Sequence, residues 1–323
     1  MILGTSGKAG SFDAFTIDRV KGGKCEISAD DAKQWQSAKE GATHPSGTWG
    51  RTDGDSSFTV KFDKDNHFRM LQSTQAKIST ETLSAGFQKV TLDLSKGGSV
   101  SVTLDNFKGH QFKVQTPTAV CGAVGTRFDV QAEGNQNHFE CSKGSIDAES
   151  NEGRFEVARI EAGRGLSATV EPGKENSYTQ LKAEGGSVDA KVAGQDFEVA
   201  EKSSVALARE KGSNDQGAIQ AGGRTYVIDG GETHDVTKDG KASGLVQNYV
   251  SATRNESDAS NELRKASEEG VSEDRLAKLK DKLDRKAEEA SKIRKELFSR
   301  EILRDTIRRN MDIGRSRPTP MPR

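Results

Sequence analysis

The feature that most constrains this chain is the alternation of apolar and polar residues in short runs between about residues 54 and 240. The run 57–63, for example, places Phe58, Val60 and Phe62 on one face. A period of two residues is typical of β-strands that bury one face. Glycine, aspartate and asparagine separate the runs, and these residues favour turns. The pattern predicts a β-rich region of many short strands.

Composition limits how thick the core of these strands can be. Apolar residues make up 32% of the 323 residues, charged residues 30%, and 34 residues are glycine. Soluble domains usually contain about 45–50% apolar residues when glycine is included. A weak repeat, G-S-[VI]-x-[AV], begins at Gly98, Gly144 and Gly186, at intervals of 46 and 42 residues. Repeats of this length indicate stacked units that bury their apolar faces against neighbours. We therefore expect a mainly β fold, either β-solenoid-like or an elongated β-sandwich of short glycine-turned strands, followed by a helical arm.

The pattern divides the chain into five segments. We expect an irregular capping segment over 1–50, a β-domain over 51–245, a polar linker over 246–260, a charged helical arm over 261–311 and a Pro/Arg tail over 312–323. Within the first segment, residues 28–35 could form a short helix or an irregular loop.

The helical arm carries a regular apolar seam. Ser272 is a candidate N-cap, and Gly270 interrupts any helix that continues from residue 261. The spacing of apolar residues after Ser272 matches the a and d positions of heptads. The seam consists of Leu276, Leu279, Leu283, Ala290, Ile293, Leu297 and Ile307. We expect this seam to contact another subunit, although packing on the chain's own β-domain is the alternative.

No motif for catalysis or metal binding is recognisable. The five histidines are scattered, and no C-x-x-C, H-E-x-x-H or G-x-S-x-G spacing occurs. Cys121 and Cys141 flank an expected hairpin and could lie close together, but small core residues are favoured over a disulfide. We expect no catalytic residue, no cofactor and no metal, and therefore a protein that is not an enzyme.

Charge and hydropathy bear on nucleic acid binding, on membrane insertion and on targeting. The formal net charge is −1, acidic residues dilute the basic C-terminal segment, and no aromatic residues are interleaved with it, so we expect no nucleic acid partner. No apolar run approaches the roughly 18 residues that cross a bilayer, so we expect no transmembrane segment. The N-terminus lacks the charged-then-apolar pattern of a signal peptide, which leaves a cytoplasmic location open.

One stretch resembles a known family. Residues 112–130, FKVQTPTAVCGAVGTRFDV, are similar to the core signature of the FecR domain family, which runs roughly F-x-V-x-T-P-x-A-x-x-x-V-R-G-T-x-F-x-V. The resemblance covers about residues 45–175. The matching positions to which it assigns a structural role are Thr116, Pro117, Gly125, Thr126 and Phe128. Val124 stands where the family has an arginine, and Arg127 lies three residues further on.

The resemblance implies a β-domain that is extracytoplasmic and non-enzymatic and that serves in relaying, binding or scaffolding. The anti-sigma and membrane segments of transmembrane regulators in this family are not recognisable here. Pro117 is expected at the end or edge of a strand because it cannot donate a backbone hydrogen bond. Gly122 and Gly125 are expected to permit a tight bend or a bulge.

Three functions are compatible with these features. We expect first a structural scaffold subunit that joins itself or another structural protein in an oligomeric or filamentous assembly, because open sheet ends and an apolar seam seek partners. The second is a FecR-type sensory or signal-relay domain at the bacterial envelope, with a periplasmic or cell-surface location. The third is a glycan-binding module that uses Trp35 and Trp49.

Overall fold

The structure is a computed structural model that describes residues 14–62, 65–83, 88–105, 107, 110–123, 125–299, 302 and 305–306. The chain divides into two compact units. Unit 1 comprises Met1–Ala168 and Ala183–Lys202, and unit 2 comprises Thr169–Lys182 and Ser203–Arg323.

Unit 1 is built from short strands that tight turns connect. Its strands are β1 (Ala14–Lys21), β2 (Cys25–Ser28), β3 (Gln36–Ser37), β4 (Thr43–Pro45), β5 (Thr48–Thr52), β6 (Ser57–Lys61), β7 (Asn66–Met70), β8 (Gln75–Thr82), β9 (Gln88–Asp93), β10 (Gly98–Leu104), β11 (Gln111–Gln115), β12 (Ala119–Ala123), β13 (Arg127–Glu133), β14 (Gln136–Lys143), β15 (Ser145–Ser150), β16 (Phe155–Glu161), part of β17 (Arg164–Pro172), the end of β18 (Asn176–Glu184), β19 (Val188–Val192) and β20 (Gln195–Val199). The chain passes into unit 2 within β17 and returns within β18.

These strands form two sheets, and successive hairpins alternate between them. One sheet has the order β4-β1-β6-β7-β10-β13-β14, and the other has the order β3-β2-β5-β8-β9-β11-β12-β15-β16-β19-β20. Neighbouring strands pair antiparallel, except that β9 and β11 are parallel. Each hairpin therefore buries its apolar face against strands that are close to it in sequence.

Phenylalanine side chains fill the space between the two sheets of unit 1. The ring of Phe112 on β11 lies 6.3 Å from the rings of Phe68 on β7 and Phe128 on β13. All three are at most 1% exposed. A Cβ on Gly50 would come within 2.5 Å of the Phe58 ring, so the sheets approach closely there. The mainly β fold with C-terminal helices is confirmed, and unit 1 is a two-sheet sandwich.

Unit 2 places two helices on one sheet. Its sheet has the order β17-β18-β21-β22-β23-β24, and the elements after β18 are β21 (Ser204–Glu210), β22 (Gln216–Ala221), β23 (Arg224–Asp229), β24 (Glu232–Asp235), α1 (Gly240–Glu268) and α2 (Glu273–Leu297). Ala206, Ala208 and Ala218 lie on the sheet face that packs against α1. The small side chains of Ala208 and Ala218 leave room for the helix, and Val246 and Tyr249 complete a core that is nearly inaccessible to solvent.

The segment expected to be a polar linker, residues 246–260, is helical and lies within α1. Asp239 caps this helix, since its carboxylate accepts hydrogen bonds from the backbone N–H groups of Lys241 and Ala242, each at 3.1 Å. Polar Thr253 and Glu256 occupy buried positions of the helix. They interrupt the apolar period that would have indicated a helix here.

The helix α2 begins after Ser272, as expected, although the Ser272 side chain makes no capping hydrogen bond. The seam splits along this helix. Leu276, Leu279 and Ile293 are half-buried, whereas Leu283, Ala290 and Leu297 are buried within unit 2. Leu297 and Ile293 pack with the core beneath α1. Ile307 and the tail 312–323 lie outside the described residues.

The expected irregular segment 1–50 contains strands β1 to β4 and the start of β5 over its described part. Strands such as β3 and β4 have two or three residues, which is too short for a period to be read from sequence. Residues 28–35 form no helix, because Asp31 and Ala32 have φ of 55° and 66°. A right-handed helix cannot contain such a backbone.

Candidate functional site

The site is built on the connection between β11 and β12, where the FecR-like signature begins. The Thr116 hydroxyl accepts a hydrogen bond from the Ala119 N–H at 3.0 Å, and the Thr116 N–H donates to the Ala119 carbonyl at 2.8 Å. Thr116 is 1% exposed, whereas Pro117 at the tip of the turn is exposed. The threonine side chain thus stabilises a tight turn, and Pro117 lies outside the strand ladder.

The second half of the signature is a bend that leads into β13. Gly125 has a φ of +66°, a conformation that side chains with a Cβ rarely adopt. The neighbouring Thr126 is buried, and its hydroxyl has no hydrogen-bond partner among the residues that the structure describes. A Cβ on Gly144 would lie 2.8 Å from the Thr126 methyl group, so the turn after β14 packs directly against the bend.

The bend is followed by a bulge at Ser142 on β14, which places Lys143 opposite Arg127. The register between β13 and β14 shifts between Arg127 and Phe128. Phe128 points into the core with 1% exposure, whereas half of the Arg127 side chain is exposed. Arg127 points outward by the ordinary alternation of β13, and the bulge brings a second cation beside it. The sequence indicated a bend or bulge near Gly122 and Gly125. Gly125 lies at the bend, whereas Gly122 lies within the regular strand β12.

Arg127 belongs to a charged cluster with Asp105 and Lys143. The Asp105 carboxylate accepts hydrogen bonds from Arg127 Nη2 at 2.6 Å and from Lys143 Nζ at 2.9 Å. These two cations, Arg127 first, lower the pKa of Asp105 to about 2. Asp105 is therefore ionised at neutral pH, and the cluster carries two positive charges and one negative charge. The sequence separates these residues by up to 38 positions, and only the pairing of β10, β13 and β14 brings them together.

A second polar cluster joins a histidine, a serine and a carboxylate on unit 1. Ser167 donates a hydrogen bond to Glu184 at 2.9 Å and lies 3.2 Å from His138 Nδ1. His138 Nδ1 and Nε2 lie 3.8 Å and 3.9 Å from the carboxylates of Glu184 and Glu140. The serine sits between the imidazole and the carboxylate, so the order of a catalytic triad, in which the histidine lies in the middle, is not formed. In the described part of the chain, no group of three or more histidine, cysteine or carboxylate side chains could hold a metal ion.

The two tryptophans each have a cation over one ring face. Arg51 Cζ lies 4.1 Å from the centroid of the Trp35 ring, and Lys77 Nζ lies 5.8 Å from that of Trp49. Stacking of a sugar on either tryptophan would be restricted to the opposite face.

Comparison with known proteins shows which part of the chain matches a known family. Residues 50–147 match the family described as FecR protein. The FecR resemblance is confirmed, and this stretch contains the whole signature together with Asp105, Arg127 and Lys143. No curated protein matches the chain with significance.

One solved structure is a candidate anti-sigma factor from Parabacteroides distasonis ATCC 8503, determined at 1.65 Å resolution. It is 14% identical, with a TM-score of 0.32, and the match covers 48% of this chain and 60% of that protein. The matched part is thus less than two thirds of that protein, and a similarity this low does not bear on function.

The FecR match corrects the function expected first. FecR proteins are regulatory, so the predicted scaffold or assembly subunit is wrong, and so is the prediction that the chain pairs with itself or with a structural protein. The family is regulatory rather than enzymatic, and its members are associated with the bacterial envelope. Among the described residues, no helix combines the length and apolar character that crossing a membrane requires.

Proposed function

We propose that this chain is a non-enzymatic signal-relay protein located outside the cytoplasm, and that its FecR region binds a membrane-bound or receptor partner protein. The observation that carries the proposal is the match of residues 50–147 to the FecR family, over the same signature that the sequence indicated. The envelope association and the regulatory role of the family support the proposed location and the proposed lack of catalysis.

We assign the partner contact to the cluster of Asp105, Arg127 and Lys143. The side chains of Arg127 and Lys143 are 50% and 58% exposed, so both cations are accessible. Asp105 holds the guanidinium in one orientation, which reduces the entropy lost when a partner binds. Arginine binds carboxylates through two parallel hydrogen bonds. The partner segment that fits this surface therefore carries carboxylates.

This assignment also accounts for the departure from the family signature. Val124 replaces the arginine of the family, and Arg127 is half exposed at the start of β13, three residues further on. We infer that Arg127 supplies the cation that the family has three residues earlier.

A pull-down from solubilised envelope fractions tests the proposal. Wild-type protein, the double variant Arg127→Ala/Lys143→Ala and the control Arg159→Ala would be compared, with captured proteins identified by mass spectrometry. Arg159 is a matched control because it is 69% exposed and pairs with Glu161 at 3.5 Å on β16, a strand that does not belong to the cluster. We expect wild type and control to capture the same membrane-bound or receptor protein, and the double variant to lose it.

Two results would contradict the proposal. One is capture that the double variant retains at wild-type level, which would remove the cluster from the contact. The other is fractionation of the native protein entirely with the cytoplasm, which would remove the envelope role.

A further inference from the structure

Unit 2 contains a polar cavity that the proposed relay function does not use. Its volume is about 450 Å³, within the range of roughly 300–1,000 Å³ that small-molecule sites occupy. It lies between α1 and the strands β18, β21 and β22. All of its lining residues belong to unit 2 and lie outside the FecR match at 50–147.

The strand register explains why a hollow exists at this place. Ala206 on β21 pairs directly with Gln180 on β18 and with Gln220 on β22. Directly paired residues present their side chains on the same face of a sheet. A small alanine between two glutamines leaves a depression with a carboxamide on each side. Tyr178, two residues before Gln180, bounds the depression on the same face.

Five polar side chains of the lining are available to a ligand. Within the described residues, the side chains of Gln180, Gln220, Ser204 and Ser251 form no hydrogen bond, and neither does the hydroxyl of Tyr178. Tyr178 is 3% exposed, and burial raises the pKa of its hydroxyl, which therefore stays protonated and can donate. Of these five groups the Tyr178 hydroxyl is the buried one, whereas Gln180, Gln220 and Ser204 are half-buried and Ser251 is exposed at the edge of the cavity. A buried polar group is normally hydrogen-bonded. A ligand with several hydrogen-bonding groups would satisfy the tyrosine hydroxyl and reach the four accessible side chains at the same time.

One guanidinium lies at the edge of the cavity. Arg254 projects from α1, is exposed, and forms no ion pair within 4 Å in the described part of the chain. The charged groups that act on the Tyr178 hydroxyl are Arg254 and the carboxylates of Glu171 and Asp258. Arginine presents donors in a planar fork that matches a carboxylate. A negative group on the ligand would be placed here.

We propose that the cavity binds a small sugar acid, a polyhydroxylated molecule with one carboxylate. Each carboxamide and hydroxyl of the lining can donate and accept, which matches neighbouring hydroxyls of a sugar. Arg254 receives the carboxylate. The apolar lining is limited to Ala206 and Val250, so a hydrophobic ligand has little surface to cover. This inference is independent of the relay function, because it uses no residue of the FecR match.

Calorimetric titration of the full chain with D-glucuronate and with D-glucose tests the proposal. The two probes differ only in a carboxylate against a hydroxymethyl group. We expect glucuronate to bind at millimolar concentration or below and glucose to bind about tenfold more weakly or not at all. Arg254→Gln should abolish that difference between the two probes. Gln220→Leu should weaken both.

Two further variants distinguish a loss of ligand binding from a loss of folding. Ser251→Trp changes an exposed position at the edge of the cavity and should block binding without altering the thermal midpoint. Gln247→Leu is the matched control, because Gln247 is exposed on the same helix and does not line the cavity. Absence of glucuronate binding would overturn the proposal. So would equal affinity for glucose, or binding by Ser251→Trp at wild-type strength.

Discussion

At the scale of single residues, the buried carboxylate of Glu256 is the principal polar contact in the core of unit 2. Its two oxygens accept hydrogen bonds from the backbone N–H groups of Glu175 and Asn176, at 2.7 Å and 3.1 Å, and from Asn176 Nδ2 at 2.7 Å. The Tyr249 hydroxyl donates to Asn176 Oδ1 at 2.9 Å and extends the network. A carboxylate on α1 thus ties the helix to the turn between β17 and β18.

Removing this carboxylate should be costly. We expect Glu256→Ala to lower the free energy of unfolding by about 3 kcal/mol, because three buried donors lose their acceptor. Urea denaturation measures this change. Glu262→Ala is the control on the same helix, since Glu262 is exposed and should change stability little. Equal effects of the two substitutions would show that the network does not stabilise the helix.

Glu171 gives unit 2 a dependence of stability on pH. Burial raises the pKa of Glu171 above its ordinary value of 4.5, and Asp258 adds to the rise. The folded state then binds this proton more tightly than the unfolded state. Stability from this group is present at pH values below about 4.5 and is lost as the pH rises through the folded-state pKa.

We therefore expect Glu171→Gln to stabilise the protein at neutral pH and to leave its stability at pH 4 nearly unchanged. Denaturant titrations at the two pH values measure the difference from wild type. Glu232→Gln, at an exposed position, is the control and should show no such divergence. A constant difference at both pH values would contradict the assignment of the raised pKa to Glu171.

At the scale of elements, one glycine ends α1 and separates it from α2. The Gly270 N–H donates to the Ser267 carbonyl, and the Val271 N–H donates to the Ala266 carbonyl. These two bonds form a Schellman motif, which requires a left-handed residue. Gly270 provides it with a φ of +67°. The sequence indicated the break at Gly270. It did not indicate the helix before the break, because polar residues occupy part of the buried face of α1.

Two glycines of these helices should respond oppositely to the same substitution. Gly270→Ala should destabilise by about 1 kcal/mol, since alanine disfavours a positive φ. Gly244→Ala should stabilise by up to about 1 kcal/mol, because Gly244 lies in α1 and a Cβ there meets nothing within 4 Å. Thermal or chemical denaturation measures both. The same sign for both variants would contradict the Schellman motif.

At the scale of the whole molecule, all three cysteines are free and nearly inaccessible. Cys121 and Cys141 are 0% exposed and Cys25 is 6% exposed. Burial raises the pKa of each thiol, that of Cys121 most strongly. The sequence left open whether Cys121 and Cys141 form a disulfide. In the structure both are core residues, and no disulfide joins them.

A thiol count distinguishes this arrangement from a disulfide. We expect Ellman's reagent to label almost no thiol in the native protein and three thiols after denaturation without reductant. A disulfide between Cys121 and Cys141 would leave a single reactive thiol in the denatured protein. Addition of reductant should leave the thermal midpoint unchanged.

Local chemistry made much of unit 1 predictable. Alternation such as that of Phe58 and Val60 identifies a strand within five residues, and turns need particular residues at particular positions. The three glycines of the repeat, Gly98, Gly144 and Gly186, have positive φ and lie at or just before the start of β10, β15 and β19. The repeat did not show that these strands lie in two different sheets, because sheet membership depends on partners that are distant in sequence.

The candidate sites were less predictable for a related reason. The signature from Thr116 to Phe128 located the FecR region, but Asp105 and Lys143 carry no motif of their own. The cavity of unit 2 depends on Ala206 lying between Gln180 and Gln220, which follows from strand order. Short-range alternation, turn residues and the FecR signature are properties of neighbouring residues, and the sequence alone determined them. Which polar residues meet, which charges pair and which helix face is buried are properties of distant segments, and only the tertiary structure decided them, because their energies arise when those segments come into contact.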